Sequence, residues 1–230
     1  SLYTEKIGHP FLVSGYRNLV TPQLADLMRD ANCWYVAMGV QSLNEEISKK
    51  VLKRSIRREK VAKAIEIIRS RGITLQCDQI FGIPGETEKD MLDALAFYNE
   101  NRPSLVSVYW LTYYPKAQIT KYATELGILT GSDIDNIERG RMSSGIKKVH
   151  AYHDINFWLN YFIFFPKWFI RLILRAKFYR LFKIQNFYIS SAIPRALHAI
   201  LHKKDWNRYY MKRIILKKVN NFRLWAPLKR

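Results

Sequence analysis

The sequence predicts an α/β protein built on a parallel sheet, with a helical, basic and aromatic-rich extension behind it. Three observations carry this reading. Strand-like and helix-like hydrophobic patterns alternate between residues 10 and 126. Charge and aromatic content change abruptly near residue 150. The two cysteines, Cys33 and Cys77, both lie in apolar strand-like runs and form no disulfide framework.

Phe11-Leu12-Val13-Ser14-Gly15 is the first strand candidate. Thr21-Pro22 reads as the N-cap and first residue of a helix whose apolar face is Leu24, Leu27 and Met28. Residues 33–40 form a second strand, apolar on both faces, as a parallel strand covered on both sides should be. Asn44 caps a short helix carrying Ile47, Val51 and Leu52. In the helix that follows, Val61, Ala64, Ile65 and Ile68 share a face, and Gly72 stops it. Residues 73–81 are the third strand. Thr87 caps the next helix, with Asp90 three residues on and Met91, Leu92, Leu95 and Ala96 facing inward. Residues 105–111 are the fourth strand, and residues 117–126 are helical.

Such alternation implies right-handed crossovers between parallel strands. It fits half of an eight-unit barrel or part of an open, doubly wound sheet. In both, ligands bind at the C-terminal strand ends. The chain opens on Ser1 and inside the alternation, so a further N-terminal segment is expected. Reduced cysteines predict a cytoplasmic protein.

Several strand-end residues stand out. Gln41 offers donors and an acceptor, and Ser42 a hydroxyl, unless the tetrapeptide Gly39-Val40-Gln41-Ser42 is simply a turn. Asp78 is a charge inside an apolar strand and needs a partner, either Lys53 or Arg54 or a ligand. Gly82 and Gly85 let the backbone approach a ligand, and Pro84 stiffens the bend between them. Glu86 and Thr87 are expected to cap the following helix. Tyr113-Tyr114-Pro115 either lines a pocket or packs at the rim.

In this order and spacing, three motifs and a basic pair resemble the radical S-adenosylmethionine (radical SAM) superfamily. They are Gly39-Val40-Gln41-Ser42, Lys53-Arg54, Asp78-Gln79-Ile80-Phe81-Gly82-Ile83-Pro84-Gly85-Glu86-Thr87 and Leu111-Thr112-Tyr113-Tyr114-Pro115-Lys116-Ala117. The likeness covers residues 10–125 and is strongest to the cobalamin-dependent, methylthiotransferase-like and coproporphyrinogen-dehydrogenase-like branches. It implies the C-terminal units of a six-unit partial (β/α) barrel over residues 1–140, followed by the extension over residues 141–230. It further implies a binding site for S-adenosylmethionine. Gln41 would meet the ribose or methionyl part, with Ser42 beside it. Lys53 or Arg54 would meet the carboxylate. Asp78 would contact the ribose or methionyl region, and Ile80, Gly82 and Gly85 would lie along the adenine and its loop.

The family's chemistry needs a [4Fe–4S] cluster held by a Cys-x-x-x-Cys-x-x-Cys loop. Cys33 and Cys77 lack that spacing and read as core residues. The cluster ligands are therefore expected outside this chain, which alone would be inactive. The alternative is a non-catalytic half-barrel binding module. The branches resembled include enzymes with and without cobalamin, and the residues quoted do not choose. The pairs His150/His153 and His198/His202 have helical spacing but no thiol neighbour, so no metal role is assigned.

Residues 151–230 carry 17 Lys/Arg against 2 Asp/Glu, and 19 of the 32 aromatic residues lie there. The run Phe157-Trp158-Leu159-Asn160-Tyr161-Phe162-Ile163-Phe164-Phe165 stops at Pro166-Lys167, short of the ~20 residues that span a bilayer. Phe169, Ile170, Leu172, Ile173 and Leu174 with Arg171, Arg175 and Lys177 form a basic amphipathic helix. Pro194 begins another, carrying Leu197, Ile200 and Leu201. Residues 155–218 are expected to lie on the inner, anionic membrane face, which would suit a lipid-like substrate. A helical cap with a solvated basic face is the second reading. RNA binding, as in a methylthiotransferase acting on RNA, ranks third because the apolar run is unbroken.

Overall fold

The computed structural model describes residues 2–15, 17–141, 143–144, 152–181 and 188–201. A short helix α1 (Leu2–Lys6) precedes strand β1 (Phe11–Gly15), and helix α2 (Pro22–Asp30) leads to β2 (Cys33–Gln41). Helices α3 (Glu45–Lys50) and α4 (Arg58–Ser70) connect β2 to β3 (Thr74–Phe81). Helix α5 (Glu88–Asn101) then leads to β4 (Leu105–Trp110). The predicted punctuation holds. Thr21 Oγ1 accepts the amide of Leu24 at 3.1 Å, Asn44 caps α3, and Gly72 ends α4 with φ +69°.

The four strands are parallel and ordered β1-β2-β3-β4. Sequential order with right-handed crossovers lays the helices on one face, as in a barrel, whereas a doubly wound sheet reverses order and covers both. Val36, Met38, Val40, Leu75, Cys77 and Phe81 are buried on the helix side against Val61, Ile65, Ile68, Met91 and Leu95. The second strand was expected to be apolar and covered on both faces. It alternates instead, because the opposite face carries Tyr35, Ala37, Gly39 and Gln41. In register on that inner face lie Gln76, Asp78 and Ile80 of β3, and Ser107 and Tyr109 of β4.

A second correction concerns α2. Leu24 and Leu27 are exposed, while Ala25 is buried and Met28 packs against the core. The helix touches β2 and α4, and the small Ala25 side chain is what lets it approach them closely.

Beyond β4, the short strand β5 (Thr112–Tyr113) and helices α6 (Gln118–Glu125) and α7 (Gly131–Glu138) build a small second cluster. Strand β6 (Ser143–Ser144) pairs antiparallel with β5. The extension follows as α8 (Tyr152–Tyr161), α9 (Lys167–Arg175) and α10 (Ile193–Leu201). Much of its apolar run packs inward. Ile155, Trp158, Leu159 and Phe162 are buried in the same core as the sheet, because α8 packs on α5 and β4 and α9 packs on α5. Among the described residues, no helix is long and apolar enough to cross a membrane.

Candidate functional site on the inner sheet face

The inner face holds a short polar chain. The Tyr35 hydroxyl donates to Gln76 Oε1, and Gln76 Nε2 donates to Asp78 Oδ1 at 2.6 Å. Ser107 is the register partner of Asp78 on β4, and its hydroxyl accepts from Arg195 Nη2 of α10 at 3.2 Å. Burial pushes the Asp78 carboxyl above its ordinary range, and the Gln76 hydrogen bond and the Arg195 charge only partly offset this. Asp78 therefore does not pair with Lys53 or Arg54. Both are exposed on the loop after α3, off the sheet. The cation facing Asp78 arrives instead from the extension.

Small residues keep this face open beside Asp78. Gly39 is its register partner on β2, and a Cβ added there would meet only Gln41 Nε2, at 3.8 Å. The register shifts between Gly39 and Gln41, which is a β-bulge at Val40. Gln41 takes φ +68° as a result, and it stays half-buried at the strand end.

Ser42 has a different fate. It is buried, its hydroxyl accepts the Asn44 amide at 3.2 Å, and its carbonyl accepts the Ser48 hydroxyl at 3.3 Å. Its polar atoms are occupied by the turn. Asn44 Oδ1 accepts the amides of Glu46 and Ile47, each at 3.0 Å. Asn44 Nδ2 also reaches Asp90 Oδ1 at 2.7 Å, tying the start of α3 to the start of α5.

The β3 loop contains a correction. Glu86 was expected to cap α5 with Thr87. Its carboxylate folds back instead and accepts the amides of Gly82 at 2.8 Å and Ile83 at 3.4 Å. Burial pushes its pKa up to about 8. Capping falls to Thr87 and Asp90, whose Oδ2 accepts the Thr87 amide at 2.8 Å and hydroxyl at 2.7 Å. Gly82 (φ +78°) and Gly85 (φ +86°) take the left-handed conformations that this reversal needs. Ile80, on the inner face, is half-buried.

Tyr113 is buried in the second cluster with Ala123, Leu129 and Ile137, which is rim packing. Cys33 and Cys77 are buried core residues whose thiols burial pushes up, so they do not fit a cluster-binding loop. Among the described residues no three His, Cys, Asp or Glu side chains come together as a metal site. His198 is buried in α10. His150, His202 and the His153 side chain lie outside the described residues.

Sequence reasoning missed Tyr35, Gln76, Ser107 and Arg195. The two-residue spacing of Gln76 and Asp78 puts them on one strand face, a signal that was there to be read. Nothing local announces Arg195, which lies 88 residues from Ser107.

The profile of the Radical SAM superfamily matches residues 4–98. The heme chaperone HemW of Buchnera aphidicola subsp. Schizaphis graminum is 26% identical over 136 residues, covering 53% of this chain and 35% of that protein. The solved radical S-adenosylmethionine methyltransferase TsrM of Kitasatospora setae, with cobalamin and a [4Fe–4S] cluster bound, superposes with a TM-score of 0.46 at 19% identity. It covers 51% of this chain and 23% of its own. Coproporphyrinogen III oxidase (HemN) of Escherichia coli, a radical SAM enzyme, gives 0.42 at 17% identity, covering 72% of this chain and 32% of its own. The chain thus spans about a third or less of the length of each relative.

Proposed function

We propose that this chain, whose residues 4–98 match the profile of the Radical SAM superfamily, presents on its inner sheet face the S-adenosylmethionine-facing part of a radical enzyme. The observation that carries the reading is the half-buried Asp78 carboxylate. Gln76 holds it at 2.6 Å, and it stands opposite a glycine whose missing side chain leaves the sheet open. Asp78 is then the acceptor for a ribose hydroxyl or an amino group, and Gln41 the adaptable donor and acceptor at the strand end. Ile80 offers an apolar edge and Gly85 exposed backbone to a flat ring. Lys53 or Arg54 meets the carboxylate. With a [4Fe–4S] cluster, S-adenosylmethionine supplies a 5′-deoxyadenosyl radical. Neither cysteine here fits as a cluster ligand, so no step through the cluster is assigned to this chain's residues. The substrate class that suits an apolar, basic extension is a lipid-like molecule.

The burial of both cysteines favours a second reading, a non-catalytic binding module. Anaerobic reconstitution of the full-length protein with iron and sulfide, followed by a 5′-deoxyadenosine assay, separates the two. Cluster absorbance with turnover supports the enzyme. Loss of both leaves the module.

A further inference from the structure

Helix α9 is apolar on two sides. Ile170 and Ile173 are buried in the core, while Trp168 (64% exposed) and Leu172 (47%), four residues apart, look outward. Lys177 then breaks the helix with φ +56°. The 3-10 turn Phe178–Leu181 that follows packs against α9 and repeats the pattern. Tyr179 is buried, and Phe178 (48%) and Leu181 (76%), one 3-10 turn apart, are exposed.

Four large apolar side chains thus lie on one short stretch of surface, between cations. Lys167, Arg171, Arg175, Lys177 and Arg180 are all exposed, and the sequence holds no Asp or Glu between Asp154 and Asp205. The carboxylates that fix this stretch come from α5. Glu100 takes Arg171 in two bonds of 2.7 Å, and Glu88 takes the Tyr179 hydroxyl at 2.8 Å and Arg180 at 3.1 Å. The segment is therefore pinned at both ends, with its apolar stripe outward. Exposed apolar patches of this kind on a soluble domain mark interaction sites.

We propose that the outward face of α9 and the 3-10 turn, built on Trp168, Leu172, Phe178 and Leu181 within a rim of Arg175 and Lys177, docks on an anionic lipid surface. Indole and phenyl rings favour the headgroup boundary, and the flanking cations meet lipid phosphates. A second copy of this chain is a poor occupant, because each extension carries 17 basic residues against 2 acidic and would repel its twin.

The test floats the full chain with phosphatidylcholine vesicles with and without phosphatidylglycerol. We expect flotation only with the anionic lipid. A Trp168→Ser, Leu172→Ser, Phe178→Ser, Leu181→Ser variant should lose at least roughly tenfold in partitioning while keeping the parent's circular dichroism and melting. Arg175→Gln with Lys177→Gln should weaken flotation and its salt dependence. Absence of flotation, equal flotation with phosphatidylcholine alone, or a serine variant that floats like the parent would each overturn the proposal. The last outcome moves the contact elsewhere in the basic extension. A doubled mass in light scattering that the serine substitutions abolish would assign the face to a second copy instead.

Discussion

Gln76 Nε2 lies 2.6 Å from Asp78 Oδ1, two residues along one strand and on one face of it. A half-buried acid whose pKa is raised by desolvation is held in place here by a neutral donor, so it can accept from a ligand without a permanent ion pair. Asp78→Ala should weaken S-adenosylmethionine binding by roughly ten- to a hundredfold, the loss of a hydrogen bond to a charged acceptor. Gln76→Leu should weaken it less and move its acid limb to higher pH, because the hydrogen bond that favours the ionised form is gone. Titration calorimetry of the full chain across pH reads both. Unchanged affinity in Asp78→Ala would remove Asp78 from the site.

Glu86 gives the loop a pH dependence of definite sign. Its folded pKa is about 8 against an ordinary value of 4.5, so the folded state holds this proton more tightly than the unfolded chain. Its contribution is fully present below the ordinary value and is lost as pH rises towards 8. Glu86→Gln keeps an oxygen to accept from Gly82 and cannot ionise. It should stabilise the chain by about 1–3 kcal/mol at pH 8 and flatten the fall between pH 5 and pH 8. Urea unfolding at a series of pH values checks this, and a wild-type fall that Glu86→Gln leaves intact would refute it.

Asn44 serves two elements at once, capping α3 and bonding Asp90 at the start of α5. Asn44→Ala should cost about 1–2 kcal/mol. Asp90→Ala loses the α5 cap and the same cross-link, for a similar cost. The double variant should fall short of the sum by about 0.5–1 kcal/mol, since the Asn44–Asp90 bond is counted twice. Strict additivity in denaturant melts would show that the link contributes nothing.

How far these features were legible depended on whether their cause was local. Thr21-Pro22, Asn44, Gly72 and Thr87 with Asp90 mark helix ends through bonds spanning a few residues, and each was readable from the chain. Ala25 was misjudged against Leu24 and Leu27 because the neighbours it packs on are set by the sheet, not by α2 itself. Glu86 was misread because capping and loop closure use the same residue type, and only the left-handed turns at Gly82 and Gly85 decide between them. Arg195 reaches Ser107 across 88 residues, a separation over which no spacing rule applies.

The extension poses the same problem on a larger scale, and two tryptophans ten residues apart test how it divides. Trp158 is buried in the core beside Phe157, Phe165 and Phe169, whereas Trp168 is 64% exposed. If the extension completes the sheet's core, Trp158→Ala should cost about 3–5 kcal/mol. Trp168→Ala should stay within about 0.5 kcal/mol of the parent, as an exposed substitution does. Unfolding should remain a single transition in both, because Ile155, Leu159 and Phe162 share one core with Met38 and Leu75. A Trp158→Ala variant whose melting splits in two, with the strands unfolding at the parent's midpoint, would instead make the extension an independent unit. A large loss of stability in Trp168→Ala would bury the face assigned above to the lipid surface.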